Sequence, residues 1–376
     1  MMKQLVIALF SIVFLISCGE NKSDSEHLMM DPAAFNMEHE GKKIQLFTLR
    51  NSHGMIVQIT NYGGKIVSII VPDKKGNFAD VCLGYESAEE YVNGIASLGA
   101  TMGRVTNRIA NARFTLNDST YHLAKNNGEH TIHGGNKGFR YRVWDPEQID
   151  DKTLELSYFS PDGEEGFPGN LQLTVRFSVT DDNELKLTYR ATTDKPTVIN
   201  FTNHAFFNLK GEGNGDILNH QLMVNAEYYT PVDEAAIPTG EILPVKDTPL
   251  DFSELTTIGD RINEDFDQLK YVGGYDHNYV IAKNDGELGL AALLYEPGSG
   301  RVMEVKTTEP GIQVYTANSL TENDKGKGGK TYGPRSSICL ETQHFPDSPN
   351  HPNFPSTILN PGEQYISTTI YKFSTK

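Results

Sequence analysis

The chain has 376 residues, 38% of them hydrophobic and 22% charged, which is enough apolar material for one large globular domain or two smaller ones. Its 33 Lys and Arg against 49 Asp and Glu leave a formal charge of −16, a surface that repels nucleic acid and anionic lipid and favours a neutral partner. Three cysteines are too few for a disulfide framework and show no Cys-based zinc spacing.

In chain order, the first segment stands apart from the fold. Lys3 precedes an apolar run from Leu5 to Ile16, broken only by Ser11, and Ser17-Cys18-Gly19 follows. A basic start, a short apolar core and small residues at the end describe a secretory signal over residues 1–17. The run is too short to span a membrane comfortably. Leu15-Ile16-Ser17-Cys18 also resembles the lipobox of bacterial lipoproteins, which implies a lipid on Cys18 after cleavage, where ordinary secretion is the alternative. Removing residues 1–17 deletes Lys3 and no acid, so −16 becomes −17. Residues 18–39 read as a polar tether, and the expected location is extracytoplasmic and membrane-anchored, at the periplasmic face or cell surface.

From residue 40 to the end the pattern is strand-like. Ile44–Arg50, Met55–Thr60 and Lys65–Val71 are short β-rich runs separated by Asn-Ser-His-Gly and Asn-Tyr-Gly-Gly. Thr153–Ser160, Leu171–Thr180 and Glu184–Thr193 alternate more cleanly, with Leu171, Leu173, Val175, Phe177 and Val179 on one face. Further runs follow at His277–Ala282, Leu288–Tyr295, Arg301–Thr307, Ile312–Thr316 and Gln364–Phe373. Helical signal is thin, confined to Ser87–Val92 and Asp260–Gln268. Many strands, frequent turns and little helix predict an all-β fold, a large antiparallel β-sandwich over residues 40–376. Cys82 and Cys339 lie in separate apolar runs and are expected to be buried free thiols. The polar loop Glu322–Pro334 is expected near the site as a flap or as a plain hairpin tip. His344–Pro355 is expected to cover an edge.

Six stretches hold residues that could do chemistry. Ile338-Cys339-Leu340 runs directly into Glu341, so its carboxylate is partly desolvated, which raises proton affinity and suits a general base. Asn200 to Leu209 sets His204 among aromatics and asparagines, where burial lowers and a facing carboxylate raises the imidazole pKa toward neutrality. Asn107-Arg108 offers fixed donors, and His133 precedes two glycines that admit a close backbone or ligand. Asp276 follows Gly273-Gly274-Tyr275, and Gln313 alternates out of an apolar strand. Each alone also fits a structural role: a solvated Glu, a satisfied core His, a surface Arg, a turn acid or a sheet polar residue. Together they suit a neutral polyol, with planar groups for vicinal hydroxyls and one acid beside one base. Phosphate-loop, serine-elbow and helical metal-ligand patterns are absent from the sequence.

Gly-Arg-Val-Thr-Asn-Arg-Ile-Ala, Ile-His-Gly-Gly, Asn-His-Ala-Phe-Phe-Asn-Leu, Tyr-Asp-His-Asn-Tyr, Gly-Ile-Gln-Val-Tyr-Thr and Cys-Leu-Glu-Thr-Gln occur in this order. In them the chain resembles the aldose 1-epimerases, or galactose mutarotases, from about residue 40 to its end. That resemblance implies a galactose mutarotase-like supersandwich, with Glu341 as general base and His204 as general acid. It implies sugar-hydroxyl contacts from Asn107, Arg108, His133, Asp276 and Gln313. The implied substrate is a free aldose such as glucose or galactose, handled by a monomer with no required cofactor. Calcium is conceivable on an acidic secreted sandwich, but no loop has calcium-ligand spacing. The rival expectations are a non-catalytic sugar-binding lipoprotein, a glycoside hydrolase using Glu341 and Asp276, and an epimerase of phosphorylated hexoses, for which the negative chain is a poor setting.

Overall fold

The alternation in Leu171–Val179 sets the architecture: Leu171, Leu173, Val175, Phe177 and Val179 are buried while the residues between them are more exposed. In the computed structural model, which describes residues 25–321 and 325–376, this strand lies inside a nine-stranded antiparallel sheet. Its order is Asp145–Asp150, Thr153–Ser160, Leu171–Val179, Glu184–Thr193, Tyr365–Thr375, Arg301–Thr307, Gly289–Tyr295, Gln221–Val224 and Thr256–Thr257. The C-terminal strand thus enters the middle of the sheet and closes it.

A four-stranded sheet (Leu46–Arg50, Ile56–Thr60, Lys65–Pro72, Phe78–Asp80) and a five-stranded sheet complete the main layers. The latter runs Leu243–Pro244, Ala226–Thr230, Asp276–Ile281, Gly311–Tyr315 and Cys339–Gln343. One continuous apolar cluster, from Leu49 to Phe373, draws on all three sheets through Val57, Leu173 and Val314 among others. Burying each such side chain stabilises the fold by about 1.5–3 kcal/mol. The antiparallel β-sandwich expected from the sequence is the fold observed.

Three expectations need correction. Packed structure starts before residue 40: Phe35 is fully buried, Met30 and Met37 pack on the same cluster, and Gln58 holds the Met30 backbone through bonds of 2.7 and 3.0 Å. The segment is polar on average, yet these three apolar side chains pack on the core beside the Gln58 bonds. Cys18 and residues 1–17 lie outside the described residues. The second helix is displaced, at Asp267–Val272, preceded by a short 3₁₀ turn at Ile258–Asp260. Its C-cap Gly273 sits at φ +71°, the left-handed conformation that ends helices. The first helix, Ala88–Asn93, starts at the expected Ser87, whose hydroxyl accepts the Glu90 N–H. Finally, the described part of the 322–334 loop is anchored: Lys327 is buried on Asp80 at 2.6 Å, and the fully buried Tyr332 bonds Glu212 at 2.6 Å. Cys82 and Cys339 are both free and buried.

Lys65, at the start of its strand, is an unusual core member. Only 3% exposed, its ammonium faces the rings of Tyr62 at 4.5 Å and Tyr91 at 5.1 Å. Burial, then the Arg140 guanidinium, push its pKa down to about 7. The unfolded chain therefore binds a proton that the folded chain resists, a cost present at neutral pH and relieved as pH climbs toward the free lysine value. Lys65→Met is expected to stabilise the protein by about 1–3 kcal/mol at neutral pH. Thermal melts at rising pH should show that gap closing; a Met variant less stable at neutral pH would mean that the tyrosine faces outweigh desolvation.

Candidate active site

Two backbone registers bring the proposed acid and base together. Phe207 and Ile338 exchange antiparallel backbone hydrogen bonds of 2.8 and 2.9 Å. Carried three residues along each chain, that register sets His204 opposite Glu341. On the other side of the same strand, Gln313 is the cross-strand partner of Glu341, and Asp276 reaches the sheet one strand further on. Glu341 thus stands mid-strand in Cys339–Gln343, 2% exposed, where the apolar run leads it.

His204 Nε2 lies 3.5 Å from Glu341 Oε1, and both side chains are buried. The imidazole stacks on Phe206 at 4.9 Å and meets the edge of His133 at 5.3 Å. Its other nitrogen, Nδ1, is 3.4 Å from Cys339 Sγ. Glu341 Oε2 is buried without a hydrogen-bond partner among the described residues. Such an acceptor is costly unless a ligand group satisfies it.

Around this pair, Arg108 Nη1 stands 3.9 Å from Asp276 Oδ2, and Gln313 Nε2 donates to Asp276 Oδ1 at 2.7 Å. Arg108 is steadied by Asn127 through its Nε at 3.2 Å. The short pairing of Arg108–Ile109 with Thr131–Ile132 brings His133 alongside Asn107. There the Asn107 N–H donates to His133 Nδ1 at 3.3 Å, which leaves the His133 hydrogen on Nε2. Asn107 at φ +57° and His133 at φ +51° both hold left-handed backbone conformations, strain of the kind found at binding sites. The following Gly134, at φ +81°, is required because a Cβ there would overlap the Gly103 carbonyl. In the Gly-Arg-Val-Thr-Asn-Arg motif the first arginine is structural: Arg104 is buried and donates to Ser160, Pro168 and Gly169.

These side chains line a cavity of about 300 Å³ whose wall includes Asn107, Arg108, His133, His204, Asp276 and Glu341. Six of the seven residues expected from the sequence therefore line one cavity. Gln313 stands beside Asp276, behind the lining. Tyr315 and Phe206 supply flat apolar faces, and Ser97, Leu320 and the exposed Ile95 form the rim. Among the described residues, no cluster of three or more His, Cys, Asp or Glu could hold a metal ion.

Electrostatics correct one expectation. Burial raises the Glu341 pKa well above the usual carboxylate range, helped by the Asp276 carboxylate and opposed by Arg108. His204, however, does not sit near neutrality: burial, then the Arg140 guanidinium, push it down to about 3. Burial, followed by His204, Arg140 and Arg108, also holds His133 well below its usual value. The low-dielectric pocket thus disfavours charge on both members of the pair. Arg140, which donates to Ser97 Oγ at 2.5 Å, escaped sequence reasoning. It lies in Phe139-Arg140-Tyr141, where nothing local distinguishes it from a surface arginine. The loop after Gln343 does more than cover an edge: Asp347 accepts from the Ala110 N–H at 2.9 Å and bonds the Arg108 carbonyl through its own N–H, buttressing the Arg108 segment.

A buried acid–base pair, ringed by planar hydrogen-bonding groups and opening from an antiparallel β-sandwich, defines a carbohydrate-active enzyme of the proton-transfer type. The family model described as aldose 1-epimerase matches residues 45–372. The chain is 42% identical to galactose mutarotase of Bos taurus, over 88% of this chain and 94% of that one. It is 40% identical to aldose 1-epimerase of Escherichia coli K12, over 89% and 96% respectively. Among solved structures, the GalM/aldose epimerase homologue from C. elegans superposes with a TM-score of 0.82 at 30% identity, covering 88% of this chain and 98% of that one. The chain belongs to the aldose 1-epimerase family.

Proposed function

We propose that this protein interconverts the α and β anomers of free aldohexoses such as glucose and galactose. The observation that carries this reading is the 3.5 Å approach of His204 Nε2 to Glu341 Oε1 inside one pocket. Ring opening of a pyranose moves protons at O1 and O5, two oxygens bonded to the same carbon. Acid and base must therefore stand this close together.

Glu341 takes the O1 proton as His204 Nε2 gives one to O5. The C1–O5 bond breaks, leaving an aldehyde at C1, a hydroxyl on C5, a protonated Glu341 and a neutral His204. After rotation about C1–C2, His204 takes the C5 hydroxyl proton as O5 attacks the other face of C1, and Glu341 returns its proton to O1. One proton is shared throughout. A pocket that disfavours charge on both groups favours the neutral pair that accompanies the ring-opened sugar over the ion pair that accompanies either pyranose. For a pyranose to react, the proton crosses to His204 while sugar hydroxyls solvate the carboxylate, including its otherwise unpaired Oε2. Asn107, Arg108, His133 and Asp276 hold the remaining hydroxyls, with Gln313 orienting Asp276, so the aldehyde turns without leaving.

A glycoside hydrolase would need Asp276 free for acid–base work. Asp276 instead gives one oxygen to Gln313 and faces Arg108 with the other, an arrangement suited to fixing hydroxyls. Polarimetry on a panel of fresh α-anomers tests the proposal. Decay of rotation at the buffer rate for every sugar would refute it. We also propose that residues 1–17 are a signal and that Cys18 is lipidated, on the strength of Lys3, the Leu5 to Ile16 run and Leu15-Ile16-Ser17-Cys18. Mass spectrometry of the mature N-terminus decides this; an unmodified Cys18 would remove the anchor.

A further inference from the structure

One strand face grips His204 at both ring nitrogens. Cys339 and Glu341 are two residues apart on Cys339–Gln343, so the pleat turns both side chains to the same side. Sγ stands 3.4 Å from Nδ1 and the carboxylate 3.5 Å from Nε2. Cys339 is fully buried, and its contact with His204 spans 135 residues of sequence.

We infer that Cys339 is a positioning residue whose sulfur accepts the Nδ1–H hydrogen of His204, holding the ring in the tautomer whose bare Nε2 faces Glu341 and the sugar. The inference rests on the mutarotase reading above. A neutral imidazole carries one ring hydrogen. After Nε2 has given its proton to O5, it must be bare in order to take the proton back from the C5 hydroxyl. The hydrogen that remains is therefore on Nδ1, in a buried position where an unpaired N–H would be costly. Sulfur is the partner the fold places there. The opposite arrangement, with S–H donating to Nδ1, would put the hydrogen on Nε2 and leave no base for ring closure.

The thiol is not a nucleophile here. Burial, then the Glu341 carboxylate, hold the proton on sulfur, whereas a reactive cysteine needs its thiolate stabilised. A neutral thiol accepts weakly through a lone pair while its own hydrogen turns aside. It thereby fixes the tautomer without trapping the mobile proton in a thiolate–imidazolium pair. Stacking on Phe206 fixes the plane of the ring.

Long-range proton–nitrogen NMR on the unmodified, ¹⁵N-histidine-labelled protein near neutral pH reads the tautomer directly, with His204→Asn supplying the assignment. The expected spectrum has the hydrogen on Nδ1 and a bare Nε2; a hydrogen on Nε2 overturns the inference. In kinetics, Cys339→Ala should lower kcat about tenfold while KM stays within about twofold, and Cys339→Ser, which restores an acceptor, should recover most of the loss. An alanine variant with undiminished kcat overturns it as well, as does a serine variant that fares no better than alanine. Should Cys339→Ala fail to fold, the spectrum of the unmodified protein still decides. Failure of that protein to mutarotate any aldose would refute the function itself, a result separable from the tautomer.

Discussion

Glu341→Gln is expected to lower kcat roughly 1,000-fold while KM changes by no more than about threefold. The substitution keeps the size and planarity of the side chain but cannot receive the O1 proton. The residues proposed to hold the sugar come from other elements: Asn107, Arg108 and His133 line the pocket from outside this sheet, and Asp276 from the strand beyond Gly311–Tyr315. Binding should therefore survive, and isothermal titration with the sugar can confirm it separately from polarimetry. Stability should not fall, because the variant replaces an ionisable group that is only 2% exposed with a neutral one. A variant that mutarotates at a near-normal rate would remove Glu341 as the base.

His204→Asn is expected to lower kcat about 100-fold or more with a small change in KM, because the imidazole works on O5 in the transition state. Combining it with Glu341→Gln should cost little beyond the worse of the two single changes, since the pair shuttles one proton as a unit. A KM effect alone would make His204 a binding residue. The pH profile carries independent information. Burial and Arg140 push His204 down to about 3, so it gains an extra proton only in strong acid. Burial raises the Glu341 carboxyl well above the usual carboxylate range, so its limb is displaced upward. With His204 pushed far below and Glu341 pushed above their ordinary values, kcat/KM should show no limb at either the ordinary imidazole or the ordinary carboxylate value. A limb centred near the ordinary imidazole value would show His204 titrating on its own.

The pocket also explains why modest machinery is sufficient. Two positioned proton transfers, each typically worth about 100- to 10,000-fold, act on a hemiacetal that already opens unaided. What the fold adds is placement. Cys339, Glu341 and their neighbours arrive on one strand, His204 on a second segment bridged to it through Phe207 and Ile338, and Arg108 with His133 on a third. Each lies on a short, hydrogen-bonded element, so the constellation is rigid before the sugar enters.

Much of this was readable from the residues. The alternating strands, the buried thiols and the carboxylate following Ile338-Cys339-Leu340 are local patterns, because strand periodicity and side-chain burial repeat every second residue. The ordered motifs nominated residues of which six line one cavity, since those side chains sit in short stretches of distinctive composition. Long-range placement was not readable. The Cys339 sulfur on His204 Nδ1 and the Arg140 charge behind both histidines depend on segments far apart in the chain, and Gln313 lies behind Asp276 because of its register with Glu341. The direction of the His204 shift was out of reach for the same reason, as it depends on which charges face the ring and how much water is excluded. By itself, then, the sequence determined the β-sandwich and nominated the candidate reacting groups, for a period-two pattern and a motif are properties of neighbouring residues. Which nitrogen of His204 faces Glu341, which way burial pushes each group and how the docked segment around Phe35 packs on the core were decided only by tertiary structure, through distances and solvation that the linear order does not contain.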